Sequence, residues 1–147
     1  MVRNIIGVIL GYVAFSITLF GLFSGLYMIL GASGSFRDGS FDLSWSWIIA
    51  SVLVFLIGGI IAAIICGLIS HSSKAVFHMG VTLLVLGVLM AIMQISQDPG
   101  ITVRETSDVS LIDAMNTARG PAWSYFISPI AGYFGAMIGG GLRKSRR

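Results

Sequence analysis

Four stretches of this chain run for about twenty residues or more without one Asp, Glu, Lys or Arg, and no other feature constrains its fold as strongly. They extend approximately over Asn4–Gly31, Trp45–Ser70, Ala75–Ile95 and Pro121–Leu142. A helix of that length crosses a hydrocarbon core of ~30 Å. Backbone polar groups must be satisfied internally in lipid, and four segments are too few for a closed barrel, so the spans are expected to be helices. The fold class expected is an all-α four-transmembrane-helix bundle forming a single membrane domain over residues 1–147. Composition agrees: 56% of side chains are hydrophobic and 10% charged, too few polar groups to cover a water-soluble domain of 147 residues. The first stretch follows Arg3 and ends near the small residues Gly31, Ala32 and Ser33, as a signal peptide does. Its apolar core exceeds the ~7–15 residues of a signal, so it is read as a retained helix.

Orientation follows from the loops, because Lys and Arg flanking membrane helices are retained in the cytoplasm. Arg3, Lys74, Arg143, Lys144, Arg146 and Arg147 fall on one side with no acidic residue, giving +6. The other side sets Arg37, Arg104 and Arg119 against Asp38, Asp42, Asp98, Glu105, Asp108 and Asp113, giving −3. The expectation is a multi-pass protein of the cytoplasmic (inner) membrane with both termini cytoplasmic. Topology accounts for the basic tail, so no nucleic-acid partner is expected. Arg143, Lys144, Arg146 and Arg147 are also candidates for gripping anionic lipid head groups. Trp45, Trp47 and Trp123 stand at the opposite ends of the second and fourth spans and read as an interfacial belt.

The loops on that opposite side cover 32–44 and 96–120. In the first, Phe36 and Phe41 flank Arg37-Asp38-Gly39-Ser40, the pattern of a hairpin-like turn. In the second, Ser107 or Asp108 can cap a short amphipathic helix whose Val109, Ile112 and Met115 share a face, before Gly120 and Pro121 lead into the fourth span.

Small residues form the most regular pattern. Gly7, Gly11, Ala14, Thr18, Gly21 and Gly25 alternate steps of four and three, which places them on one stripe of the first helix. Gly59 and Ala63 continue the theme in the second helix, and Ser128, Gly132, Gly135, Ala136 and Gly139 in the fourth. Helices gain no hydrophobic drive towards one another in lipid, so close backbone approach at such stripes supplies the packing energy. The plain reading is packing within the bundle; the sharper one is packing against another protein. Pro129 interrupts the fourth helix, where a bend is expected and a hinge is conceivable.

Residues for chemistry are scarce. The spans hold no Asp, Glu, Lys or Arg, which speaks against proton or ion coupling. The lone Cys66 excludes a cysteine cluster, and no metal site or catalytic residue is assigned. His78, in the first turn of the third helix, is the weak candidate for a cofactor ligand to pigment or haem.

The stretches GVILGY (Gly7–Tyr12), GASGSFRDGSFDLSWSWI in the first loop, HSSKAV between the second and third spans and DAMNTARGPAWSYFISPIAG leading into the fourth resemble small four-helix bacterial integral membrane proteins. The resemblance implies a bacterial cytoplasmic membrane and brings no activity, cofactor or functional residue with it. The residues point to a non-enzymatic accessory or structural subunit of a larger membrane complex, whose partners are lipids and other membrane protein subunits. The alternative is a small channel or facilitator for an uncharged solute.

Overall fold

In a computed structural model the described residues are 2–96, 110, 112 and 117–144, with the side chains of 143 and 144 left aside. They form four long helices: α1 (Val2–Ser35), α2 (Trp45–Ser70), α3 (Ser73–Ile95) and α4 (Ala122–Lys144). Among the described residues the fold is all-helical apart from isolated bridges, and α1, α2 and α3 are long and apolar enough to cross a membrane. That points to a membrane protein. The amphipathic helix expected around Val109, Ile112 and Met115 falls largely outside the described residues, as do Arg146 and Arg147.

α1 extends beyond the span expected from its composition. At Gly31 the backbone leaves helical geometry, with φ 63° and ψ −175°, and one further turn follows to Ser35. Only glycine takes that left-handed φ at no steric cost, so the apolar helix proper stops where Gly31 stands. Ser35 secures the extra turn by donating its hydroxyl to the Gly31 carbonyl at 2.7 Å.

The loop that follows is a hairpin-like turn. Arg37 N–H donates to Asp42 O at 2.8 Å, Ser40 N–H to Arg37 O at 3.2 Å, and Gly39 takes φ 69° at the tight position. Phe36 pairs with Leu43, and Asp42 with Arg119 ahead of α4, so the two connections brace each other. Ser44 starts α2 by accepting from Trp47 N–H at 3.2 Å, and its own proton goes back to Gly34 O at 2.5 Å. One side chain thus caps α2 and ties it to the end of α1.

The α2–α3 connection is short and lies at the other end of the bundle. His71 ends α2 in the left-handed conformation, φ 55°. Arg3, from the start of α1, donates Nε–H to Ile69 O at 3.1 Å and a second N–H to His71 Nδ1 at 3.0 Å. His71 Nδ1 also lies 3.3 Å from the Ile69 carbonyl, so Arg3, Ile69 and His71 form one cluster at the end of α2. A cation placed there also meets the last carbonyls of α2.

The contacts set the directions. Gly7 lies against Ser70 and Cys66, so α1 and α2 are antiparallel; Gly135 meets Leu56 and Gly139 meets Ile60, so α2 and α4 run parallel. Gly80 meets Met137 and Gly87 meets Pro129, which makes α3 antiparallel to α4. The start of α1 and the end of α4 therefore share one end of the bundle, with the α2–α3 turn. We call this the turn end, and the end with the 36–44 connection the loop end.

The buried core gathers towards the turn end. Ala62, Ala63, Cys66, Met79 and Ala136 are fully buried there, with Ala75, Val76, Leu83 and Phe15 around them. Small residues let the backbones meet: a Cβ at Gly59 would overlap the Gly132 carbonyl, and one at Gly135 the Leu56 carbonyl. α2 is the central helix and packs most extensively on α4 and α1.

Candidate functional site: a cleft between α1 and α3

The i+4 row of α1 that faces the bundle changes size along its length. From the turn end it reads Gly7, Gly11, Phe15, Leu19 and Phe23. A Cβ at Gly11 would lie 3.0 Å from both the Ala62 carbonyl and the Cys66 Cβ, so the backbones are in contact there. Four residues on, Phe15 needs Gly58 opposite to make room. Beyond it aromatic meets aromatic: Phe15 and Phe23 pack edge-on against Phe55 at 5.9 and 6.0 Å, and Phe23 stacks on Trp47 at 5.8 Å. Glycine at one end and rings at the other act as a wedge, because packed side-chain volume sets the distance between helix axes.

The space opened by this wedge is a cleft of about 390 Å³ in the loop-end half of the bundle, lined from all four helices. Its aromatic wall is Phe15, Phe23, Trp47 and Phe55; its aliphatic wall is Leu19, Ile48, Leu83, Leu86, Met90 and Ala91; α4 supplies Ser124, Tyr125, Ser128, Pro129 and Gly132. The exposed lining residues, Tyr12, Leu86, Met90 and Gln94, all belong to α1 and α3. The mouth is therefore lateral, between those two helices, while α2 and α4 form the back.

The polar groups of the lining are mostly spent. Ser51 donates to Ile48 O at 2.7 Å, Ser124 to Pro121 O at 2.7 Å and Ser128 to Ser124 O at 3.2 Å, so none of the three offers a free proton. Tyr125 accepts from Gly120 N–H through its hydroxyl at 2.7 Å. Pro129, four residues after Tyr125, has no N–H to return to the Tyr125 carbonyl. Gln94 brings an exposed amide to the rim in the last turn of α3. Towards the turn end the cleft stops on Phe15 and Leu83, behind which Met79, Cys66 and Ala62 are packed without exposure.

The small-residue stripe of α1 is divided. Gly7 and Gly11 sit in the α1–α2 contact, Ala14 and Thr18 are half-buried beside it, and a Cβ at Gly21 or Gly25 would meet nothing within 4 Å. Gly59, Ala63, Gly132, Gly135, Ala136 and Gly139 come together between α2 and α4, and Ser128 turns to the cleft. Trp45 and Trp123 are exposed and stack on each other at 5.7 Å, whereas Trp47 is half-buried and joins the cleft wall. His78 is exposed near the turn end and donates Nδ1–H to the Lys74 carbonyl of its own helix at 2.6 Å. Among the described residues no group of three His, Cys, Asp or Glu is placed to hold a metal ion.

Sequence reasoning passed over the cleft, since its walls come from separate helices. The small-to-large gradient along Gly7, Gly11, Phe15, Leu19 and Phe23 was the available signal. Comparison with protein-family models, with curated proteins and with solved structures finds no match.

Proposed function

We propose that this chain is a non-enzymatic accessory protein of a cellular membrane, and that it works by holding an apolar guest in the cleft between α1 and α3. The observation that carries the reading is the cleft itself: about 390 Å³, within the range of small-molecule sites, walled by aromatic rings and opening sideways. Serine protons committed to backbone carbonyls suit an apolar guest better than a reacting one. A facilitator would need the space to continue to the turn end, and the packed Met79, Cys66 and Ala62 stand in that line.

In this reading α4 is the fourth membrane crossing. It lies along α2 and α3, and Ile127, Ile130, Phe134, Ile138 and Leu142 form an exposed apolar face on its far side. The turn end, with Arg3 and Lys74, faces the cytoplasm, so both termini are cytoplasmic. Contacts with other subunits would fall on the open α1 face at Gly21 and Gly25.

Mild extraction of the full chain followed by native mass analysis tests the proposal. A small hydrophobic molecule retained at fixed stoichiometry is expected. A bare chain that passes an uncharged solute across liposomes would overturn it in favour of the facilitator.

A further inference from the structure

Resting on the cleft-holding reading above, we infer that the guest is a single acyl chain of a bilayer phospholipid, taken sideways from the leaflet at the loop end. The dimensions carry this. On α3 the lining runs from Leu83 to Gln94, eleven helical steps or about 16 Å, and on α1 it runs equally far from Tyr12 to Phe23. That is about half of a ~30 Å hydrocarbon core, the depth of one leaflet. At the ~30 Å³ that a water-sized group occupies in a liquid, 390 Å³ takes on the order of a dozen such groups. That is the greater part of one acyl chain and far less than a whole two-chain lipid.

The mouth faces the right solvent. Its rims are α1 and α3, two of the three helices apolar enough to cross a membrane, and their outer surfaces are hydrocarbon-like: Ile17 and Phe20 on α1, Leu89 and Met90 on α3, are half exposed or more. A chain can leave the bilayer and enter the cleft without crossing water. The polarity of the walls is graded to match. Inside the rim, where Tyr12 is exposed, Phe15 and Leu83 close the turn-ward end with apolar surface, where a terminal methyl belongs. The exposed amide of Gln94 stands at the other end, one residue from the end of α3, where the ester carbonyls of a phospholipid can accept its N–H. Beside the loop end, the exposed Trp45–Trp123 pair provides the amphipathic surface that a head-group region favours.

The test uses the full chain carrying Trp45→Phe and Trp123→Phe, which leaves Trp47, a wall of the cleft, as the sole tryptophan. In vesicles of phosphatidylcholine brominated along its acyl chains, Trp47 fluorescence is expected to be quenched. Adding Ser51→Phe, or separately Ala91→Phe from the opposite wall, fills the space and should remove more than half of that quenching. One phosphatidylcholine per chain should survive native mass analysis of the parent and be lost in both filled variants. Quenching that neither filler alters, with no lipid retained, would overturn the inference. A retained hydrophobic molecule that is not a phospholipid would overturn the acyl-chain assignment while leaving the cleft-holding function standing. No retained molecule of any kind would remove both.

Discussion

The pyrrolidine ring of Pro129 in α4 occupies the place that a side chain at Gly87 of α3 would take. The helix-breaking residue and the residue without a side chain are thus two halves of one contact, beside the cleft that both help to line. Gly87→Ala should lower stability by about 1–3 kcal/mol, the usual cost of overpacking. Pro129→Gly in the same chain removes the Cβ that the new methyl would overlap and should recover about 1 kcal/mol of this, since the two positions touch. Helical circular dichroism during SDS titration of the four variants measures the coupling.

The α2–α4 contact predicts a sharp contrast among glycines. Gly59→Ala and Gly135→Ala drive a methyl into a backbone carbonyl, which cannot rotate away, and each should cost about 1–3 kcal/mol. Gly21→Ala and Gly25→Ala put the methyl into open space and should stay within about 0.5 kcal/mol. Equal losses at all four positions in an unfolding series would mean that the α1 stripe is as tightly covered as the α2–α4 seam.

Ser44 joins two functions in one hydroxyl, accepting from Trp47 N–H and donating to Gly34 O. Ser44→Ala should cost about 1–2 kcal/mol, the upper part of the range for losing a helix cap, because the Gly34 carbonyl loses its donor too. Ser44→Asn keeps an acceptor for the cap and should recover part of the loss.

At the turn end, His71 carries a left-handed backbone that glycine would adopt without strain, and its ring contacts the Arg3 guanidinium at 3.0 Å. In an Arg3→Ala background the ring contact is gone, so His71→Gly should stabilise the chain by about 1 kcal/mol. In the parent chain the gain should be smaller, because the substitution also removes Arg3's partner. Four unfolding midpoints decide whether the two effects oppose each other in this way.

The helical, largely apolar character of the chain is legible because charge is costly in lipid: the run between Asp42 and Lys74 holds no charged residue, and Ser44 and His71 stand where a helix over Trp45–Ser70 can begin and end. The hairpin at Arg37–Ser40 is legible for a local reason, a glycine between polar residues and flanking aromatics. Which residues meet is a different matter. A stripe drawn along the axis of α1 groups Gly7 with Gly25, yet the contact follows the inclined i+4 row and passes to Phe15, Leu19 and Phe23 instead. Crossing direction is a property of two helices together, so the pattern in one of them does not contain it. The cleft is further removed still, since Phe15, Phe55, Leu83 and Ser128 share it only after all four helices have packed.

A bundle that spans a membrane has hydrocarbon around its middle while both ends meet water. Cysteine labelling in intact cells measures that directly, in a Cys66→Ala background that removes the single buried native thiol. With a membrane-impermeant maleimide, a Ser40→Cys chain should react from outside and a Ser73→Cys chain only after permeabilisation, while Ile17→Cys and Leu89→Cys chains should stay unlabelled in both conditions. Labelling of Ile17→Cys and Leu89→Cys as readily as Ser40→Cys would place water where a membrane-spanning bundle requires lipid, and would contradict that placement.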